Sequence, residues 1–249
     1  MQYHIRLSEE HKAKYAIIPG DPGRVEKIAA YLTDAKQVGC NREYNSYLGY
    51  LDGEKVLVVS TGIGGPSAAI CVEELAKIGV DTFIRVGTCG GMQPEVEPGD
   101  VVIATGAIRM DGTSKEYMPI EFPAVADFEV TRALSAAAEK LSVPNHLGVV
   151  QAKDSFYGQH SPDSMPNSSE LLAKWNAWKM GGCLASEMES ATLFIVSAVR
   201  RLRAGAVFHC VWNQEVAKTS MPEKRKEDTS AAIRTAIEAI KILIANDRR

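Results

Sequence analysis

Four short segments of the sequence carry side chains able to hold an anion, a diol and a planar heterocycle. The first is Gly20-Asp21-Pro22-Gly23-Arg24. Two glycines let backbone N–H groups approach an anion closely, and an arginine at a helix start adds a fork-shaped cation, so the segment suits phosphate. A plain strand-to-helix turn with a surface arginine fits the same residues. The second is Arg85-Val86-Gly87-Thr88-Cys89-Gly90-Gly91. Arg85 sits inside the otherwise apolar Thr82-Phe83-Ile84-Arg85-Val86, where a charge is costly to bury unless paired. A structural arginine–carboxylate pair meets that cost; Arg24 in the same crevice tips the balance towards an oxyanion ligand. Neither segment matches GxGxxG or a Walker loop, which weakens dinucleotide and nucleoside triphosphate readings. The third is Ser186-Glu187-Met188-Glu189, with carboxylates at i and i+2 before an apolar stretch. They read either as helix N-terminal acids stabilised by the dipole or as a partner for vicinal hydroxyls such as those of a ribose. The fourth is Asp154-Ser155-Phe156-Tyr157-Gly158-Gln159-His160. Its aromatic pair suits stacking on a heterocycle, and the Gln159 amide both donates and accepts, as a base edge requires. Alone it is an ordinary loop.

These segments need a frame that brings them together, and the pattern around them supplies one. Residues 15–18 form a short apolar run stopped by Pro19-Gly20, a buried strand. Residues 24–32 carry apolar side chains at 25, 28, 29 and 32, a helical stripe. Strands at 47–50 and 56–60 flank Asp52-Gly53, a hairpin signal. Residues 67–78 read as a helix with Pro66 suited to its first turn. Further strands are predicted at 82–86, 101–105, 147–152 and 204–212, and helices at 127–141, 168–180, 189–202 and 229–244; the helix at 189–202 is apolar on most faces and therefore buried. Strands separated by helical stretches argue for an α/β fold with a mostly parallel sheet, whose ligand crevice lies beyond the carboxyl ends of the strands. The loops after Ile18, Ser60, Val86, Ala152 and Trp212 are then the places for a site.

Composition narrows the class. The chain has 249 residues, 45% hydrophobic and 24% charged, with a formal net charge of −3. That is ordinary globular composition, with no basic field to hold nucleic acid. No apolar run approaches the ~20 residues of a membrane span, and the opening MQYHIRLSEEHKAK reads as no signal peptide. The five cysteines lie at 40, 71, 89, 183 and 210, none at metal-ligand spacing, and read as buried thiols in a reducing cytosol.

Taken in order, Ile18-Pro19-Gly20-Asp21-Pro22-Gly23-Arg24, Ser60-Thr61-Gly62-Ile63-Gly64-Gly65-Pro66-Ser67, Arg85-Val86-Gly87-Thr88, Glu121-Phe122-Pro123-Ala124-Val125-Ala126-Asp127 and Glu187-Met188-Glu189-Ser190-Ala191 resemble the nucleoside phosphorylase superfamily of trimers and hexamers. Within it the chain is most similar to the uridine-cleaving family, from His4 to the C-terminal helix. The resemblance implies one three-layer α/β domain over residues 1–249, a central mixed, mostly parallel sheet flanked by helices. It implies phosphorolysis of uridine to uracil and ribose 1-phosphate, with inorganic phosphate as co-substrate and no cofactor. At the matching positions Gly20, Arg24, Arg85 and Thr88 would hold phosphate, and Arg42 would reach the phosphate of a neighbouring subunit. His4 would reach that neighbour's ribose 5′-hydroxyl. Met188 and Glu189 would hold the ribose, Glu189 on the 2′- and 3′-hydroxyls, with Glu187 lining the pocket. Phe156 would stack on the base and Gln159 read its edge. Some relatives bind potassium between subunits at residues matching Glu43, Ile63 and Ser67. The implied state is a cytoplasmic homo-oligomer, a dimer at minimum and a hexamer built as a trimer of dimers, with small-molecule partners and neither nucleic acid nor membrane.

Purine enzymes of that superfamily protonate the base with an aspartate after the last strand. Here the region reads Cys210-Val211-Trp212-Asn213-Gln214, with no carboxylate, which favours a pyrimidine. The sequence departs from the uridine-cleaving pattern twice: Gln-x-Arg becomes Gln159-His160-Ser161, and an arginine after the asparagine becomes Gln214. His160 is the candidate to contact a uracil carbonyl; a solvent-facing His160 with a water at that carbonyl fits nearly as well. The alternatives are a purine or broad-specificity phosphorylase, a nucleosidase using water, and a non-catalytic nucleoside-binding protein. Retention of Arg24, Arg42 and Arg85 speaks against the nucleosidase.

Overall fold

In the computed structural model, which describes residues 1–217 and 225–249, the apolar run at 15–18 is the first strand, β1 (Tyr15–Pro19), buried throughout. The other strands are β2 (Thr33–Asn41), β3 (Tyr44–Leu51), β4 (Glu54–Val59), β5 (Thr82–Gly91), β6 (Val101–Met110), β7 (Ala124–Val125), β8 (Asn145–Lys153), β9 (Ala185–Glu187) and β10 (Arg203–Asn213). The helices are α1 (Gly23–Ala29), α2 (Gly65–Lys77), α3 (Thr113–Tyr117), α4 (Phe128–Lys140), α5 (Phe156–His160), α6 (Ser168–Met180), α7 (Ser190–Arg200), α8 (Gln214–Ala217) and α9 (Ser230–Asp247).

Alternation along β1 explains the layers. Tyr15 and Ile17 point into one core with Val25 and Ile28 of α1, Val130 and Leu134 of α4, and Ile237 and Ile240 of α9. Ala16 and Ile18 point into the other, with Val72 and Leu75 of α2 and Leu193 and Phe194 of α7. One mixed sheet thus separates two helical layers, as the resemblance implies. The caps follow local chemistry: the Asp127 carboxylate accepts the Val130 N–H and starts α4.

β5 organises the sheet. It pairs in parallel with β1 over residues 82–86 and with β10 along its whole length, and its end pairs antiparallel with β9. β10 continues to β6, β6 to β8, and β8 to β9, so five strands close on themselves. The segment 87–91 is therefore strand and not the loop expected after Val86. Gly87 is glycine for packing: a Cβ there would stand 2.7 Å from the Phe208 ring. β2 escapes the hydrophobic pattern because it is an exposed edge strand, with no residue buried.

A solvent-accessible ionic cluster closes the far end of the sheet. Asp247 of α9 accepts from Arg203 at 2.6 and 2.9 Å, from the Tyr15 hydroxyl at 2.7 Å and from Lys14 at 2.9 Å. Above all through Arg203, these donors hold its carboxyl well below the ordinary 3.8. A carboxyl depressed in the folded state stabilises at pH values above its unfolded value, and that contribution is lost as pH falls through the folded one. Asp247→Asn is therefore expected to lower Tm by a few degrees at pH 7. The gap between variant and wild type should close below pH 3.8 in thermal melts run across pH.

Candidate active site

β1 and β5 run side by side, and the turn leaving β1 brings Gly20 against the middle of β5. A Cβ on Gly20 would lie 3.3 Å from the Gly62 carbonyl and 3.4 Å from Arg85 Nη2, so the turn backbone packs closely against both. Arg24, in the first turn of α1, aims back at the strand, with Nη1 3.5 Å from the Val86 carbonyl and only a 3.8 Å contact to Asp21. Burial pushes the Arg24 pKa down, and the Arg85 charge adds to this. Two guanidiniums thus share a half-buried corner, Arg85 paired with Glu189 and Arg24 loosely with Asp21, an arrangement chemically able to take an anion. Thr88, partly exposed, lies three residues further along β5.

Arg85 is 5% exposed. Its Nη2 donates to Glu189, its Nη1 lies 3.4 Å from Thr61 Oγ1, and its Nε stands 3.6 Å from Glu187 without a hydrogen bond. The two carboxylates do different work. Glu187 accepts the N–H groups of Glu189 and Ser190 at 2.9 and 3.1 Å and the Ser190 hydroxyl, so it caps α7. Burial, with the Glu189 charge beside it, raises its pKa. Glu189 accepts the Gly64 N–H at 2.7 Å and the Arg85 guanidinium. The two acids thus differ: Glu187 is the helix-terminal acid, and Glu189 is held by Gly64 and Arg85.

The base side gathers around a residue that the sequence reading did not single out. Lys153, the last residue of β8, is 4% exposed. Its Nζ donates to Ser186 Oγ at 2.5 Å and lies 3.5 Å from the Glu187 carbonyl. Ser186 Oγ is 2.6 Å from Oε1 of both Gln151 and Gln159, and Gln159 Nε2 reaches Gln214 Oε1 at 3.3 Å. Burial pushes the Lys153 amine down to about 8, opposed by the charges of Glu187 and Glu189, so it is mostly protonated at neutral pH. His160 packs 4.3 Å from Phe156 and 5.8 Å from Trp212, ring centre to ring centre. Burial and the Lys153 charge lower its pKa, so it enters the site as a neutral imidazole. Phe156 is half exposed at the mouth. The segment 156–160 is a short helix and not a loop, started by the Ser155 hydroxyl on the Gly158 N–H.

Asn213 is fully committed elsewhere. Its Nδ2 donates to the Gln93 and Val96 carbonyls at 2.7 and 2.8 Å, and its Oδ1 accepts the N–H groups of Glu215 and Val216. Cys89 is buried, and its contact with Cys210 together with burial holds the thiol well above its ordinary value, so it is no nucleophile.

Arg42 lies away from this crevice, exposed in the turn between β2 and β3. His4 stands near that turn: Asn41 Nδ2 donates to the His4 carbonyl at 2.6 Å. Ser67 Oγ lies 3.4 Å from the Ile63 carbonyl, and the Glu43 side chain packs against Gly62 beside them.

The family model described as Phosphorylase superfamily matches residues 14–245. The chain belongs to the phosphorylase superfamily. Among curated relatives of this phosphorylase, the uridine phosphorylase of Treponema pallidum (strain Nichols) is 56% identical over 246 residues, covering 99% of this chain and 95% of its own. The uridine phosphorylase of Escherichia coli (strain K12) is 41% identical, covering 97% and 98%. A guanosine phosphorylase of Halorubrum lacusprofundi is also 41% identical, covering 97% and 99%. Overall identity at this level thus accompanies either class of base in the relatives' names, so the base pocket has to decide. In this phosphorylase, Gly20, Arg24, Arg85 and Glu189 come together, as do Phe156, Gln159 and His160. Lys153 escaped notice because Ala152-Lys153-Asp154 reads as a solvated strand end; the available signal was a lysine closing an apolar strand directly before the aromatic segment.

Proposed function

We propose that this phosphorylase cleaves uridine with inorganic phosphate, releasing uracil and ribose 1-phosphate. The observation that carries the reading is the base pocket: a buried ammonium, Lys153, coupled through Ser186 to the amide of Gln159, with an asparagine and not an acid at position 213 and the Glu215 carboxylate already paired with Trp175 and Lys179. A purine leaving group needs a proton at its imidazole ring, and Asn213 has no hydrogen-bonding capacity left to give. A pyrimidine leaves as an anion whose charge spreads onto its carbonyl oxygens, and fixed donors there stabilise it.

Phosphate sits between Gly20, Arg24, Arg85 and Thr88, joined by Arg42 of a neighbouring copy. One of its oxygens forms the bond to C1′ as the C1′–N1 bond breaks, and that electron pair leaves with the base. Positioning supplies much of the acceleration. Glu189 turns from Arg85 to the 2′- and 3′-hydroxyls as phosphate takes the guanidinium, with Met188 against the sugar, and its charge faces the developing cation. Lys153 and Gln159 receive the charge on the uracil carbonyls, His160 adds a neutral contact, and Phe156 covers the ring.

His4 and Arg42 serve a neighbouring copy, so a dimer is the smallest active unit and a hexamer the working assembly. A potassium ion between copies would be held by the Glu43 carboxylate, the Ile63 carbonyl and the Ser67 hydroxyl, oxygen donors suited to a hard cation. Among the described residues no helix is long and apolar enough to cross a membrane.

The test is chromatography of purified protein with uridine, with and without phosphate, and with inosine in parallel. Uracil and ribose 1-phosphate should appear only with phosphate, and inosine should stay intact. Cleavage of inosine would overturn the base assignment; uracil without phosphate would make the protein a hydrolase.

A further inference from the structure

The N-terminal segment is fastened to the domain by one carboxylate. Glu74, in α2 and 7% exposed, accepts the His4 N–H at 3.0 and 3.1 Å, the Ile5 N–H at 2.9 Å and the His4 imidazole Nδ1 at 2.7 Å. These hydrogen bonds hold its carboxyl below the ordinary carboxylate range against the opposing effect of burial. An ionised carboxylate only accepts, so Nδ1 must carry its hydrogen, and the ring is fixed in both orientation and tautomer. The opposite ring nitrogen, Nε2, makes no hydrogen bond within the described residues, and the side chain is 30% exposed. The His4 carbonyl is in turn tied to Asn41, next to Arg42 at the tip of the β2–β3 turn. His4 and Arg42 are thereby held on one edge of the molecule.

We propose that Glu74 is a positioning residue: by gripping Nδ1 and the two flanking amides it presents His4 Nε2, beside Arg42, to the ribose 5′-hydroxyl bound by a neighbouring copy. This rests on the uridine reading given above. Glu74 itself touches no substrate. It makes recognition of the 5′-hydroxyl a preformed contact, whose ordering is complete before the nucleoside binds. A merely structural clamp on the N-terminus would affect every nucleoside alike, whereas a positioning role acts only on substrates that carry the 5′-hydroxyl.

The experiment compares kcat/KM for uridine and 5′-deoxyuridine in wild type, His4→Ala, Glu74→Gln and the double variant. The ratio of the two substrates within one preparation is independent of the folded fraction. His4→Ala should compress the wild-type preference for uridine roughly tenfold, the worth of one good hydrogen bond. Glu74→Gln should compress it by about three- to tenfold, and the double variant no further than His4→Ala. An unchanged ratio in Glu74→Gln, or equal loss on both substrates up to complete inactivity, overturns the proposal. Additive compression in the double variant does the same. If His4→Ala leaves the ratio unchanged, it is the placing of His4 at the sugar that has failed, and Glu74 loses its role with it. If His4→Ala collapses the ratio and Glu74→Gln does not, only the role of Glu74 has failed.

Discussion

Replacing Lys153 by methionine lowers kcat/KM for uridine by about two to three orders of magnitude, the cost of removing one fixed donor from a developing anion in a water-poor site. Methionine keeps the length and flexibility of the side chain without its charge. The same variant should lose much less on 5-fluorouridine, whose electron-withdrawing fluorine already stabilises the departing base. Steady-state kinetics on both substrates decide the matter: equal losses would mean that Lys153 serves only to balance Glu187 and Glu189. The pH profile gives an independent view. The Lys153 amine, buried among Glu187, Glu189, Cys89 and His160, has been pushed down to about 8. A lysine is charged below its pKa and neutral above it, so the uridine rate should fall as pH rises through about 8. That limb should disappear in Lys153→Met.

Arg85→Gln is expected to remove activity by at least three orders of magnitude and to destabilise the protein as well. In the proposed mechanism Arg85, which holds Glu189, also donates to phosphate, and charge-assisted contacts to a transferring group act in the transition state. Its loss also leaves two buried carboxylates facing each other without their cation, a situation worth about 3–5 kcal/mol of destabilisation. The double variant Arg85→Gln/Glu189→Gln should recover much of the melting temperature and none of the phosphorolysis. Calorimetry and phosphate-dependent uracil release on the two variants test both halves. A stable, inactive Arg85→Gln would show that Glu187 and Glu189 find other partners. A stable and active one would remove Arg85 from the phosphate site.

Much of this was legible before any coordinates. The apolar run at 15–18 is the buried strand expected, and the stripe at 25, 28 and 29 falls on the buried face of α1, although that helix ends at Ala29 and Leu32 is buried beyond it. Arg85 was visible because a charge in an apolar strand needs a partner. What stayed hidden depends on which neighbour a residue meets. β2 has no apolar face to announce it, since it lies on the edge. Residues 87–91 read as a loop because sequence cannot distinguish a glycine that bends from one, like Gly87, that yields to Phe208. The division of labour between Glu187 and Glu189 is set by where α7 begins, and Lys153 acquires its meaning only when β9 brings Ser186 against it.

The position of β5 bears on how the protein opens. The strand that carries Arg85 and Thr88 has a hydrogen-bonded neighbour on each edge, β1 or β9 on one side and β10 on the other. Its amide hydrogens are shielded by the whole sheet, so they exchange with solvent only when the entire chain unravels. The short helices α5 and α8, joined to each other by Gln159–Gln214 and to the rest by side-chain contacts such as Gln159–Ser186 and Trp175–Glu215, are expected to belong to a less protected class. An anion bound at Arg85 therefore adds its binding free energy to global unfolding, whereas a base bound beneath α5 quiets only local opening. The strand of Arg85 and Thr88 is thus expected to be the last part of the molecule to come apart, and the helix of Phe156 and Gln159 one of the first.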